Sequence, residues 1–187
     1  MNYCRLILPL FLVAAETVLA RPAQVILLRH AEKPSDESNV HLSERGESRA
    51  RALVALLEAR SVLGTNGPPP ALFAPKITRQ GHSRRPYETL EPLAEHLKLS
   101  IQTPYGPSDY AALAKHVLSD PDLDGKTVIV CWIHDYLPAL AKALGVKPEP
   151  ARWKGSVYDR VWIITCEDRR AVLANRPQNL LPGDSTE

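Results

Sequence analysis

The sequence predicts an α/β fold: a three-layer sandwich in which helices cover both faces of a mainly parallel, doubly wound sheet. Two apolar runs rich in β-branched residues, 25–28 and 127–132, have the composition of strands buried on both faces. Between such runs lie segments with apolar residues at helical spacing, for example Ala50, Leu53 and Leu57. Alternating strands and helices are typical of a sheet wound by crossover helices.

The ends of the helices carry recognisable signals. Ser43 is a favourable N-cap for the first helix, Pro86 starts the second, and Asp109 is placed to cap the third. Gly145 stops the helix that follows the second buried run. The predicted helices are 43–60, 86–97, 110–118 and 136–144, and the predicted strands are 25–28, 71–74, 99–102, 127–132, 160–165 and 171–173.

The first 20 residues have the organisation of a secretory signal peptide. Arg5 precedes the apolar stretch 6–15, and Val-Leu-Ala at 18–20 is a small-residue cleavage site. We expect cleavage after Ala20, which predicts a secreted or periplasmic protein with no stable membrane insertion; a buried N-terminal helix is the alternative. The stretch is short for a membrane span. One domain is expected over 21–174, and the polar tail 175–187 is expected to fray.

Composition narrows the class of protein. The formal net charge is +2 and the basic residues form no tract, so we do not expect nucleic-acid binding. No H-E-x-x-H, P-C-x-x-C or G-x-S-x-G motif occurs, which argues against the zinc enzymes and serine hydrolases that carry them. Export would permit a disulfide between Cys131 and Cys166, but each ends an apolar run, and two buried thiols are the alternative.

Cationic side chains cluster where the two buried strands end. Arg29 and His30 follow the first strand, and His134 follows the second. Ligands of open α/β sheets bind at this edge. Arg85 lies at a helix N-terminus, and guanidinium groups and helix N-termini both favour phosphate oxygens. These residues predict a pocket for a dianion. Three other arginines are expected on the solvated side of the first helix: Arg45, Arg49 and Arg51.

These residues belong to an ordered set of motifs that resembles the histidine phosphatase superfamily, which has the phosphoglycerate-mutase-like fold. The resemblance covers nearly all of the mature chain and is greatest to small secreted bacterial members. The motifs are Leu-Leu-Arg29-His30, Leu42-Ser43-x-x-Gly46, Ser83-x-Arg85-Pro-x-x-Thr89, and His134 after a buried strand.

The resemblance implies a metal-independent phosphomonoester hydrolase without a cofactor, acting on a phosphorylated small molecule or a phosphoprotein. It assigns His30 as the nucleophile that forms a phosphohistidine, and Arg29, Arg85 and His134 as ligands of the phosphate. A phosphoglycerate-mutase-type phosphotransferase is one alternative, which export away from sugar-phosphate pools disfavours. A catalytically silent phospho-ligand-binding domain of the same fold is the other, which the presence of both histidines disfavours.

Two carboxylates are candidates for the acid that protonates the leaving group. Asp135 directly follows His134 and is similar to the His-Asp pair of acid phosphatases and phytases, so it is our first candidate. Its alternative role is to cap the helix that starts at Tyr136. Glu32, two residues after the nucleophile, is the second candidate, and its alternative is a solvated position in the loop.

Overall fold

The computed structural model of the protein describes residues 21–36, 38–58, 67–78, 84–167 and 170–185. The predicted signal peptide, residues 1–20, lies outside the described residues. Among the helices of the described part, none combines the length and the apolar character needed to cross a membrane.

Six strands of the described part form one mixed sheet with the order β3-β2-β4-β1-β5-β6. The strands β3, β2, β4 and β1 are mutually parallel, whereas β5 is antiparallel to β1 and β6 is antiparallel to β5. The prediction of a mainly parallel sheet is therefore confirmed. The strands are β1 (Gln24–Arg29), β2 (Ala71–Phe73), β3 (Ile101–Gln102), β4 (Thr127–Trp132), β5 (Arg160–Glu167) and β6 (Arg170–Pro177).

Helices cover both faces of this sheet, as predicted. Alternate residues of a strand point to opposite faces, so Ile26 and Leu28 pack in the core against α1 and α2, while Val25 and Leu27 pack in the core against α3 and α4. These two apolar cores, one on each side of the sheet, make the three layers of the sandwich. In the described part the helices are α1 (Glu44–Glu58), α2 (Arg85–Leu97), α3 (Tyr110–Ser119) and α4 (Leu137–Ala143).

The predictions for the helix ends at Ser43 and Gly145 are confirmed, whereas the prediction for Asp109 is not. The Ser43 hydroxyl accepts a hydrogen bond from the Gly46 N–H at 3.1 Å, which is the predicted N-cap of α1. Gly145 follows α4 with φ of 104°, a conformation that glycine adopts without strain. The prediction for Asp109 is wrong, because its carboxylate accepts from the Gly106 N–H in the preceding loop at 2.9 Å and makes no cap bond to α3.

The C-terminal segment packs on the domain, so the expectation of fraying is wrong for its described part. Strand β6 continues through Pro177, and Gln178 is 3% exposed. The Asp184 carboxylate accepts from Arg49 through two bonds of 2.7 and 2.8 Å. Arg49 is only 2% exposed, so the expectation of a solvated arginine is also wrong at this position. A carboxylate supplied by the tail is what allows this guanidinium to be buried.

Cys131 is a free, buried thiol. The strand register aligns Leu28 with both Cys131 on β4 and Val161 on β5. Cys166 lies five residues beyond Val161 along β5, which corresponds to roughly 17 Å. A disulfide requires Cα atoms about 5.5 Å apart, so the register excludes the bond that export would have allowed. Burial raises the pKa of the Cys131 thiol, which keeps it protonated and unreactive.

We expect Asp184→Asn to lower the free energy of unfolding by about 2 kcal/mol at pH 7, because Arg49 loses one of its two charged partners. The hydrogen bonds from Arg49 hold the pKa of the Asp184 carboxyl well below its usual range. Its stabilising contribution is therefore complete above the pKa of the unfolded state, about 3.9, and is lost progressively as the pH falls below it.

Urea unfolding of the wild type and of Asp184→Asn at pH 7 and pH 3 measures this contribution. The difference between the two proteins should shrink by about 1 kcal/mol at pH 3. The matched control is Asp122→Asn, which alters an exposed carboxylate elsewhere. If the two proteins differ in free energy of unfolding by the same amount at both pH values, the proposed contribution of the ionised Asp184 carboxylate is refuted.

Candidate active site

The candidate site lies where the adjacent parallel strands β1 and β4 end. Arg29 is aligned with Trp132, and the His30 N–H extends this pairing with a 3.4 Å hydrogen bond to the Trp132 carbonyl. His134 follows two residues after the end of β4. The topology thus brings His30 and His134 to one edge of the sheet, as the sequence predicted.

His30 is held in one tautomer by its own loop. His30 is only 5% exposed, and its Nδ1 is 2.7 Å from the carbonyl oxygen of Ala31. Because a carbonyl can only accept, Nδ1 carries the proton and the lone pair lies on Nε2. Burial lowers the pKa of His30 to about 3, and the charges of Arg29 and Arg85 lower it as well. His30 is therefore a neutral imidazole, the form that can act as a nucleophile.

Arg29 is buried and fixed from several directions. It is 3% exposed, and its Nη1 donates to the carbonyl oxygens of Gly155 at 2.7 Å and Val157 at 2.8 Å. The guanidinium carbon lies 3.8 Å from the centre of the Tyr158 ring, a cation–π contact. Arg29 Nε has no hydrogen-bond partner among the described residues. A buried donor in this condition is suited to donate a hydrogen bond to a ligand oxygen.

Arg85 is the first residue of α2, and Thr89 one turn later joins it to the loop that follows His30. Arg85 is 9% exposed and donates from Nε to the carbonyl of His41 at 3.0 Å and from Nη2 to the carbonyl of Asn39. The Thr89 hydroxyl donates to the Arg85 carbonyl at 2.7 Å and accepts from the Ala31 N–H at 2.9 Å. One hydroxyl thereby sets the distance between the start of α2 and the residue after His30, which explains the spacing of this motif.

His134 lies at the same edge with its side chain 19% exposed. Its Nδ1 is buried and has no hydrogen-bond partner in the described part of the chain, and its Nε2 is 3.6 Å from Asp135 Oδ1. Burial and the charge of Arg29 lower the pKa of His134, while Asp135 acts in the opposite direction. A bound dianion would offset the charge of Arg29, and the His134 ring would then gain a proton more readily.

The two candidate acids lie in different surroundings. The Asp135 side chain is 51% exposed, and its Oδ1 is 3.3 Å from Arg152. It does not cap α4, which begins at Leu137 after Tyr136 without a side-chain cap bond. The Glu32 side chain is 12% exposed and accepts from Arg49 at 2.7 Å and from Arg45 at 3.1 Å. Glu32 is thus turned toward α1 and held by two cations, so the geometry favours Asp135.

The motif Leu42-Ser43-x-x-Gly46 supports the loop that follows His30. The Ser43 N–H donates to the Glu32 carbonyl oxygen at 3.0 Å. A Cβ on Gly46 would lie 2.4 Å from that same oxygen, so a larger residue would force the helix and the loop apart. The motif therefore lets the start of α1 pack directly against the loop that follows His30.

Two residues that support this site were not predicted to do so from the sequence. Arg49 lies three residues after Gly46 and four before Leu53, positions that share one side of a helix, so the spacing already indicated that it faces inward. Tyr158, which covers Arg29, lies in the loop before β5. No sequence signal marks it, because the contact depends on how the antiparallel strand β5 returns beside β1.

Side chains supply the positive charge of the site. Arg29 and Arg85 are permanently charged at physiological pH. Within the described ranges, no group of three or more His, Cys, Asp or Glu side chains is placed to hold a metal ion. The charges of Arg29, Arg85 and His134 all reach His30, where they lower its pKa, and guanidinium and imidazole groups near one another can bind a dianion.

The chain has the phosphoglycerate-mutase-like fold. A mycobacterial glucosyl-3-phosphoglycerate phosphatase with inorganic phosphate is 16% identical and has a TM-score of 0.55, over 81% of this chain and 95% of its own. A mutant phosphoserine phosphatase from Entamoeba histolytica in complex with phosphoserine is 13% identical, with a TM-score of 0.52 over 84% and 98%. Both of these proteins are phosphatases. No protein-family model and no curated protein matches the sequence.

We expect the His30 ring to stay neutral, with its proton on Nδ1, from pH 8 down to pH 5. Its pKa is lowered to about 3, so protonation begins only well below that range. Two-bond ¹H–¹⁵N correlation spectra of the imidazoles report both charge and tautomer, and the spectrum of His30→Ala assigns the signal. A ring that titrates near pH 6.5 would contradict this description of the nucleophile.

Proposed function

We propose that the protein hydrolyses phosphomonoesters through a phosphohistidine intermediate on His30. The observation that carries the proposal is the state of His30, a buried imidazole with Nδ1 bonded to the Ala31 carbonyl and with Nε2 left as the nucleophilic nitrogen. It lies beside arginines whose charges reach it. The substrate is a phosphorylated small molecule or a phosphoprotein.

The phosphoryl group is held by Arg29, Arg85 and His134. These side chains bind its non-bridging oxygens and oppose the charge that the transition state spreads over them. The unpartnered Nε of Arg29 and Nδ1 of His134 gain acceptors when the phosphate binds. The positive charge comes from the protein, so the proposed reaction needs no metal ion.

In the first step, His30 Nε2 attacks phosphorus in line with the ester oxygen. The N–P bond forms as the P–O bond to the leaving group breaks, and Asp135 gives its proton to the departing oxygen. The products of this step are the free alcohol and a phosphohistidine, with Asp135 ionised.

In the second step, water attacks the phosphohistidine from the side that the alcohol has left. Asp135 now accepts a proton from the water as the new P–O bond forms and the N–P bond breaks. Inorganic phosphate is released, and His30 and Asp135 return to their starting states. The exposure of the Asp135 side chain, 51%, gives water access to this side and favours hydrolysis over transfer to a second substrate.

The remaining alternatives receive less support. A phosphoglycerate-mutase-type transferase has to exclude water from its phosphoenzyme. The exposed Asp135 side chain instead leaves this side of the site open to water. A silent phospho-ligand-binding domain does not require a nucleophile whose tautomer is fixed, as it is for His30. The two compared structures are phosphatases, in agreement with the proposal.

We predict that His30→Ala abolishes the hydrolysis of 4-nitrophenyl phosphate, with a loss of about 1000-fold or more because the covalent route is closed. The assay is run on the purified protein in the presence of EDTA. The matched control is His96→Ala, on α2 away from the site, which should retain wild-type turnover. Undiminished activity of His30→Ala, with its circular dichroism unchanged, would overturn the mechanism.

We predict that Asp135→Asn slows substrates according to their leaving group. Turnover of an alkyl phosphate should fall by about 100-fold, whereas 4-nitrophenyl phosphate, whose leaving group needs little protonation, should lose less than about fivefold in its first step. Pre-steady-state release of 4-nitrophenol isolates that step.

The control for this experiment is Glu32→Gln. Glu32 is engaged by Arg49 and Arg45, so any effect of this change should be the same for both substrates. Equal losses in Asp135→Asn, or a leaving-group dependence in Glu32→Gln, would show that the acid has been assigned to the wrong residue.

A further inference from the structure

Arg152 lies at the edge of the candidate site and has no part in the mechanism above. Its side chain is 81% exposed, and its Nη2 is 3.3 Å from Asp135 Oδ1. The same carboxylate oxygen is 3.6 Å from His134 Nε2. Asp135 Oδ1 therefore lies between the exposed Arg152 and His134 of the phosphate pocket.

The loop that carries Arg152 is anchored, although the side chain itself is exposed. Trp153, the next residue, is 4% exposed and donates from its indole N–H to the Val157 carbonyl at 2.9 Å. Arg29 donates to the carbonyl oxygens of Gly155 and Val157 in the same loop. The backbone of the loop that carries Arg152 is thus fixed to the phosphate pocket. The Arg152 guanidinium can therefore reach only positions close to that pocket.

In-line displacement determines which part of a substrate meets Arg152. His30 attacks on one side of phosphorus, and the leaving oxygen departs on the opposite side, next to the residue that protonates it. Because Asp135 is the proposed donor, the leaving group lies on the Asp135 side. Arg152, in contact with Asp135, lies beside the leaving group.

The electrostatics on this side favour an anion. Arg152 and Lys33 both lower the pKa of His134, so their positive charge reaches the pocket. Of the neighbouring carboxylates, Glu32 is already held by Arg49, which leaves Asp135 as the partner of Arg152.

The contact between Arg152 and Asp135 can be exchanged at little cost. An ion pair with an 81% exposed arginine is weak because water and salt screen it. A guanidinium forms two parallel hydrogen bonds with a carboxylate or a phosphate, and an anionic group on the substrate can form the same pair.

We propose that Arg152 selects phosphomonoesters whose leaving group carries a second anionic group. On binding, that group replaces Asp135 as the partner of Arg152. The inference rests on the proposed function and adds to it the chemical class of the substrate.

The test compares two aryl phosphates of equal size, 4-(carboxymethyl)phenyl phosphate and its neutral amide, 4-(carbamoylmethyl)phenyl phosphate. Their methylene groups keep the two leaving oxygens similar in acidity. For the wild type we expect kcat/KM to be about tenfold higher for the carboxylate, which corresponds to one good charge contact. Arg152→Gln should bring the ratio of the two kcat/KM values close to one, and Arg152→Lys should retain part of the preference.

The ratio isolates the contact with the substrate, since any effect of Arg152 on Asp135 alone applies to both compounds and cancels. Lys142→Gln is the matched control, because Lys142 is also exposed (62%) and paired with a carboxylate, Glu149 at 3.0 Å, but lies at the far end of α4. It should keep the wild-type ratio.

Each outcome decides between the claims. If both compounds are hydrolysed and the wild type does not distinguish them, or Arg152→Gln keeps the wild-type ratio, the role of Arg152 is wrong and the proposed function stands. If neither compound nor 4-nitrophenyl phosphate is hydrolysed, the proposed function fails and the inference fails with it.

Discussion

The hydrogen bond between His30 Nδ1 and the Ala31 carbonyl is the constraint on which the rest of the site depends. It places the proton on one ring nitrogen and leaves the lone pair on the other. A bond between neighbouring residues holds only if their loop is rigid. Thr89 binds the Ala31 N–H, and Ser43 binds the carbonyl of Glu32, so both helices on that face of the sheet hold the loop.

The same burial that protects this bond makes the site costly to fold. Arg29, His30 and Arg85 are each less than one-tenth exposed, and the two arginines bring positive charge together. Main-chain carbonyls stabilise them: those of Gly155 and Val157 for Arg29, and those of residues 39 and 41 for Arg85. Guanidinium groups fixed in this way before a ligand arrives can bind an anion without further reorganisation.

Distant parts of the chain meet beside the loop that follows His30. Arg49 on α1 binds the Glu32 carboxylate on one side and the Asp184 carboxylate on the other. The C-terminal segment thus braces the loop that carries His30, through a buried guanidinium whose fork geometry suits two carboxylates. This arrangement explains why Glu32 is turned toward α1, although it lies only two residues after His30.

The sequence by itself determined the elements and the edge where the site forms, because burial on two faces and helical periodicity are local patterns. It also placed His30 and His134 correctly, since residues that follow parallel strands must share an edge. Only the tertiary structure decided the partners: Asp184 for Arg49, and Arg152 for Asp135. Such pairs join separate segments of the chain, and their geometry depends on how β5 returns antiparallel to β1 and carries β6 on its other side, which no local spacing encodes.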